Sequence, residues 1–477
     1  MLRTFLFSLV AVLPLAPRSA SAAVAPRQGQ TQAPAAAEAI ELAARYKDAF
    51  VTFEELDELV LMRFAESKLG RETRLFQLKL RVIEAIGRDL GVQPSPEEIQ
   101  KMLKDIEKGV QQEGAARNID EYLVQQGVSK AEFLESLRVA VLQNKLAHIG
   151  LGIPEGQPLS AEQQEMWLAA QIQERGLEEP PAPWSDGVVL RNGDVVLTRD
   201  EFIPYLRDRL EPGERKLLLF DLLRVKRMKA RMPDLDPSAL DAAVQEEIQK
   251  RKVEVQQDPR YKGLDYDQLL QSQGILIESW PRDPNIVMAA LSQLWVRRKY
   301  TAEGLREVYE NERPYFDAQF GEALEAYVLF KNASDPPNEF IPLSFAAAEE
   351  ELNRLAAGIT SFAQFQQTVE LESQDRASRE RKGYLGWVTR TGNSGPSPAR
   401  EALFAALDSG RYKPTLPSDS TDRLAGPVRT DRGVLLLWIG QRRPKPAWDE
   451  MIVYVHKTLR KRFVDEAIEP AEVLTYE

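Results

Sequence analysis

The chain has 477 residues, which at roughly 100 to 200 residues per domain is enough for about three domains. It contains no cysteine and only two histidines, His148 and His456, which excludes disulfides, thiolate nucleophiles, cysteine-based metal sites, imidazole triads and histidine-cluster metal centres. With 73 acidic against 62 basic residues the net charge is −11, which disfavours a broad grip on a phosphate backbone, so nucleic acid is not an expected partner.

The chain opens on Arg3, a short apolar run from Phe5 to Ala16 and the small-residue pattern Ala20-Ser21-Ala22, which reads as a secretory signal over residues 1–22 with cleavage before Ala23. The run is too short to span ~30 Å of hydrocarbon and Pro14 interrupts it. No later stretch approaches ~20 apolar residues, so no transmembrane segment is expected. Residues 23–40, rich in alanine, proline and glutamine, read as a disordered linker.

Helices with marked starts follow. Thr52-Phe53-Glu54-Glu55 is a capping box, and Leu56, Leu59, Val60 and Phe64 lie on one helical face behind it. Ser95-Pro96 starts a second helix, with serine as cap and proline where its missing N–H costs nothing. The same signals return later: Thr198 to Glu201 is a capping box, Asp236-Pro237 a cap followed by proline, and Leu123 to Val128 is answered by Leu270 to Ile275. Residues 41–155 and 188–312 therefore read as two copies of one helical unit, within domains 41–180 and 181–318, although Pro204 falls inside the second copy's first helix. Val188 to Leu190 and Val195 to Leu197 flank Asn192-Gly193, a hairpin signal.

From residue 319 the pattern changes to short apolar strands, Glu325 to Phe330, Leu385 to Arg390, Ala425 to Thr430 and Val434 to Ile439, with helices at Phe345 to Ala356 and Pro398 to Leu407. That order predicts an α+β domain with a mainly antiparallel sheet over 319–446. Trp448 to Ile468 returns to helix in a C-terminal segment, 447–477. The fold class expected is mainly α with an α+β domain. His148 suits a dipole or capping role near a helix end, His456 a packed or solvated helix position, and Trp387 and Trp438 the core.

The stretch from Ser373 to Arg390, followed by "ALFAALDSG" and "AGPVRTDRGVLLLWIGQRR", resembles the parvulin family of peptidyl-prolyl isomerases (PpiC-like domains, with an FKBP-like antiparallel sheet) over roughly residues 320–446. The helical copies before it and the helix after it resemble the arrangement of SurA and its relatives, extracytoplasmic chaperones that carry parvulin domains on a helical body. The resemblance implies rotation about X-Pro bonds, with an apolar pocket for the proline ring and a polar cluster beside it. Carried over by position, Asp375 matches the family's acidic residue, Thr430 its threonine and Leu385 a pocket leucine, while Phe404 sits one residue from a pocket phenylalanine. Tyr327 and Leu435 occupy the two histidine positions, Arg400 another phenylalanine position, and Tyr384 the aspartate of the turn. Leucine cannot hydrogen-bond, so the paired-histidine network cannot form.

The resemblance thus implies an exported, periplasmic folding factor with weak or lost isomerase activity, needing no metal and no cofactor. Its partners would be unfolded or extended polypeptides and proline-containing segments; the sequence sets no oligomeric state. The alternative is an active isomerase using Tyr327, Asp375 and Thr430, in which Leu385, Phe404 and Leu435 line the substrate pocket. A more remote one is a scaffold inside an envelope complex.

Overall fold

The computed structural model describes residues 41–112, 114–126, 130–261, 263–393 and 395–476, and these form two units, residues 41–295 with 463–476 and residues 296–462. The signal and linker expected over residues 1–40 lie outside the described residues, as do Gly127 and Val128 of the Leu123 to Val128 stretch.

In the first unit both capping boxes form. The Thr52 amide donates to the Glu55 carboxylate (3.0 Å) and the Glu55 amide to the Thr52 hydroxyl (3.2 Å). The Thr198 amide and hydroxyl both donate to Glu201 (3.0 and 2.7 Å). Helices Phe53–Phe64 and Arg199–Asp208 follow, the latter continuing through Pro204. The first copy does not begin with this helix, as the sequence suggested, but with a hairpin, Leu42–Tyr46 paired to Ala49–Thr52. It matches the hairpin Val188–Asn192 with Val195–Thr198 in every register pair, including the bulge after the first residue. Lys47 takes the left-handed conformation (φ 54°) where the second hairpin has Gly193 (φ 61°).

Each copy then supplies a long helix (Lys68–Asp89, Pro212–Ala230), a third starting on proline (Pro96–Gln112, Pro237–Gln257), a short fourth (Ile119–Gln126, Tyr266–Ser272) and a fifth (Lys130–Leu151, Pro284–Lys299). The two copies are not separate bodies. One core takes residues from both hairpins and from the first two helices of both copies, among them Val51, Leu56, Leu78, Leu197, Phe202 and Leu219. The later helices build smaller cores, one around Ile106, Phe133 and Leu137, the other around Ile248, Trp280 and Leu291 with Phe463 and Ala467 from the end of the chain.

Four charge pairs between the copies share one sense. Asp48, Glu55, Asp57 and Glu58 of the first copy meet Arg227, Lys226 (2.6 Å), Arg207 (3.0 Å) and Arg199 of the second. The more deeply placed link runs the other way: the Arg63 guanidinium donates two hydrogen bonds to the fully buried Asp283 (2.7 and 2.9 Å). Gly274 (φ 77°) lies so close to the first copy that a Cβ would stand 2.3 Å from Ser67 N, and the Leu276 amide beside it donates to the Met62 carbonyl (3.1 Å).

The second unit contains helices Ala302–Asn311 and Arg313–Phe320, which the sequence grouped with the second helical domain. Its sheet has four antiparallel strands in the order Tyr384–Thr389, Ala323–Asn332, Gly433–Arg443, Leu424–Arg429. Alternate residues of a strand point to opposite faces. Leu324, Ala326, Val328, Leu435 and Leu437 therefore pack against helix Ser397–Asp408, whereas Leu329, Val434, Leu436 and Trp438 pack against helices Phe345–Gly358 and Phe362–Glu372. Helix Phe362–Glu372 and the turn of helix Arg376–Arg379 had no sequence expectation; both lie in the span between the first two strands. The chain is mainly α with one α+β unit, as its patterning indicated.

Candidate functional site

The residues singled out from the sequence are spread over this unit: Tyr327 and Leu385 on the first two strands, Asp375 between them, Phe404 on helix Ser397–Asp408, Thr430 in the turn between the last two strands and Leu435 on the last. Gly383 (φ 87°) accepts from the Val328 amide (2.8 Å), and a Cβ there would stand 3.0 Å from the Val328 carbonyl, so the turn into the second strand needs glycine. Pairing passes from Tyr327 with Tyr384 directly to Ala326 with Gly386 (φ 101°), which leaves Leu385 as a β-bulge. The bulge aims the half-buried Leu385 at the face that holds Phe404, Leu435 and Val428.

Two residues of that face are buried. Phe404 is 4% exposed and Leu435 5%. The Arg390 guanidinium lies 4.4 Å above the Phe404 ring and is fixed there by Glu322 (2.7 Å) and Asp408 (2.8 Å). Burial works against the Glu322 carboxylate, yet Arg390 and Arg442 hold its pKa below the usual range. Arg400, where the family pocket would have phenylalanine, turns back to the Gly392 carbonyl and to the Ser397 hydroxyl (2.7 Å).

The three polar residues each have their own local surroundings. Tyr327 sits on the opposite face from Leu435, its ring against Phe362 (4.7 Å) and Tyr384 (5.3 Å) and its hydroxyl donating to Glu325 (3.1 Å). Burial first, and then the Glu325 charge, push its pKa up to about 12, so it exchanges no proton near neutrality. The Asp375 carboxylate caps helix Arg376–Arg379, accepting from the Ser378 amide (2.9 Å). The Thr430 hydroxyl donates to the Gly433 carbonyl (3.0 Å) inside the turn between the last two strands. Among the described residues each of the three has a side-chain oxygen in a hydrogen bond with a local partner. Phe404 and Leu435 are buried in the core of their face, beside the partly buried Leu385 and Val428.

Two features of the site carried no sequence signal. Lys331, 5% exposed, is held on the sheet by Glu351 (2.7 Å) and Glu372 (2.9 Å). Burial opposes its charge, but the two carboxylates outweigh it and raise its pKa. Because both carboxylates keep contact with water, Lys331→Leu is expected to cost about 1–2 kcal/mol, less than a fully buried pair; a urea midpoint unchanged from the parent chain would contradict this. Arg423, also buried, donates to the Pro417 (2.8 Å), Leu416 (2.6 Å) and Ile439 (3.0 Å) carbonyls and so pins the loop between helix and strand. The histidines stand apart: buried His148 lies 3.0 Å from the Ile153 carbonyl beyond its helix end, and burial followed by Arg460 and Arg297 lowers the His456 pKa. Trp438 is core, as expected, and Trp387 lies under Arg443 (5.3 Å). Among the described residues no helix is long and apolar enough to cross a membrane, and no cluster of histidine, aspartate and glutamate is arranged to hold a metal.

No family model and no curated protein sequence matches the chain. Among solved structures it is similar to PrsA, a peptidylprolyl isomerase of Bacillus anthracis, at 15% identity over 55% of this chain and 100% of that one, with a TM-score of 0.25. A second similarity is to a structure described with PEB4 and Cj1289 as SurA-like chaperones of Campylobacter jejuni, at 16% identity over 56% of this chain and 86% of that one (TM-score 0.22). A third is to a PpiC-type peptidyl-prolyl cis-trans isomerase domain, 20% identical over 27% of this chain and 96% of that one (TM-score 0.18). At such identities and scores, the functional reading rests on the residues of this chain.

Proposed function

We propose that the chain is an exported protein-folding factor of the SurA/parvulin type, which binds unfolded or proline-containing polypeptide and has weak or no peptidyl-prolyl isomerase activity. The observation that supports the second half is the burial of Phe404 and Leu435, with the Arg390 guanidinium lying over the Phe404 ring. Rotation about an X-Pro bond meets a barrier near 20 kcal/mol, and lowering it needs the bond held beside polar groups that this sheet spends on its own turns and caps.

Holding an unfolded chain needs exposed apolar surface instead. The first unit has exposed apolar side chains near where helices Lys130–Leu151 and Ala161–Glu174 cross. A Cβ on Gly150 would stand 2.2 Å from Trp167 Nε1, so the helices touch there, and the residues flanking that contact, Ile149, Leu151 and Met166, are all exposed. Methionine adapts to irregular partners. The signal-like first 22 residues and the resemblance support export to a periplasmic setting.

The full chain is expected to suppress aggregation of an unfolded client at near-stoichiometric ratio while leaving the isomerisation rate of a proline-containing peptide at its uncatalysed value. Clear acceleration of isomerisation would overturn the inactive-isomerase half, and unhindered aggregation would overturn the chaperone half.

A further inference from the structure

The two hairpins of the first unit each carry a third strand, and the third strands come from different places. In the second copy it is Leu177–Glu178, just upstream, antiparallel to the outer edge of Val188–Asn192. In the first copy the same edge, of Leu42–Tyr46, is taken by Leu474–Thr475 from the far end of the chain, one register position away. The last buried residues before it are Ala467 and Ile468, and from there the chain is held lightly. The Tyr476 amide donates to the Ala43 carbonyl (3.0 Å), Val473 packs partly against the core, and the side chains of Leu474, Thr475 and Tyr476 are exposed. What holds this strand is backbone.

We propose that the outer edge of Leu42–Tyr46 is a strand-addition site for extended polypeptide, occupied in cis by the chain's own residues 473–476. The inference rests on the client-binding reading and gives it a location. An edge strand offers a row of unpaired amide and carbonyl groups to any extended backbone. Because the resident strand directs most of its side chains to solvent, the site accepts many sequences, favouring an aliphatic residue at the Val473 position and rejecting proline where the Tyr476 amide donates. A two-residue strand with exposed side chains lies at the low end of local stability, so it yields to a client. While tethered it competes at an effective concentration in the millimolar range.

The test uses a fluorescein-labelled peptide of residues 469–476 and two proteins, the full chain and a chain ending at Glu472, followed by fluorescence anisotropy. The peptide is expected to bind the shortened chain at least about tenfold more tightly than the full chain. Alanine in place of Leu474 or Tyr476 in the peptide should change that affinity by less than about threefold, whereas Tyr476→Pro should weaken it about tenfold or more. Equal binding to both proteins, no binding to a shortened chain with native circular dichroism, or a large loss with alanine would each overturn the proposal. If the shortened chain does not fold, full-length Tyr476→Pro, which lacks the amide bonded to Ala43, takes its place. The same proteins enter the aggregation assay: peptide binding without suppression keeps the edge and removes the chaperone reading, and suppression without peptide binding does the reverse.

Discussion

Arg63→Leu is expected to lower the stability of the chain by about 3–5 kcal/mol, read as a shift of the urea midpoint of the first unit by circular dichroism. Arg63 is the partner of Asp283, whose side chain is wholly out of water, and the bond is bidentate, 2.7 and 2.9 Å. Removing the guanidinium strands a buried carboxylate, which is costlier than removing both charges. Asp283 also begins helix Pro284–Lys299, where its carboxylate accepts from the Asn285 amide (2.8 Å). Arg63 further approaches Asp221 (3.8 Å), whose pKa burial raises against the pull of Arg63 and Arg224. The double variant Arg63→Leu with Asp283→Asn should therefore recover at least about half of the loss, since asparagine keeps an acceptor for the cap and carries no charge. A loss under about 1 kcal/mol for Arg63→Leu alone would mean that Asp283 is reached by water, and the two copies would not be locked at this point.

How far the sequence revealed this lock can be traced residue by residue. The capping boxes at Thr52 and Thr198 and the cap–proline pairs at Ser95 and Asp236 were legible because N-terminal capping is decided within four residues. The hairpin at Val188 was legible for the same reason, through Gly193. Its counterpart at Leu42 was not, because Lys47 occupies the left-handed turn position and carries no glycine signal. Once the two hairpins are set in register, Asp48 answers Asp194 and Arg45 answers Arg191. The merging of both copies into one core, and the pairing of Arg63 with Asp283 across 220 positions, depend on contacts that no local pattern encodes.

The candidate site shows the same division. The strands were legible from alternation, but alternation also decides faces, and matching Tyr327 and Leu435 to two positions of one family network said nothing about their pointing to opposite sides of the sheet. Arg390 was invisible as a lid, because its role depends on Glu322 and Asp408 arriving from two other elements. A parvulin-like pattern of strands and turns is therefore compatible with a sheet in which Phe404 and Leu435 are buried. The binding surface is then sought on the first unit, at the exposed Ile149, Leu151 and Met166 and at the edge of Leu42–Tyr46.

Asp57→Asn is expected to stabilise the chain at pH 7.5 by up to about 2 kcal/mol and to leave it within about 0.5 kcal/mol of the parent at pH 4. Asp57 lies on the first helix of the first copy and faces Arg207 of the second at 3.0 Å. Burial raises its pKa from 3.8 to about 6; Arg207 opposes the rise, and Asp208 and Glu58 add to it. Between those two values the folded chain keeps a proton that the unfolded chain has released, so stability falls as pH rises through the window and the deficit persists above it. The displacement corresponds to about 3 kcal/mol at 1.36 kcal/mol per unit, reduced to about 2 because the side chain is still 21% exposed. Asparagine holds the neutral form at every pH and removes that dependence. A variant less stable than the parent at pH 7.5 would instead give the Arg207 pairing the larger share, and the charge pairs between the copies would then be attractive in net effect rather than a means of fixing which faces meet.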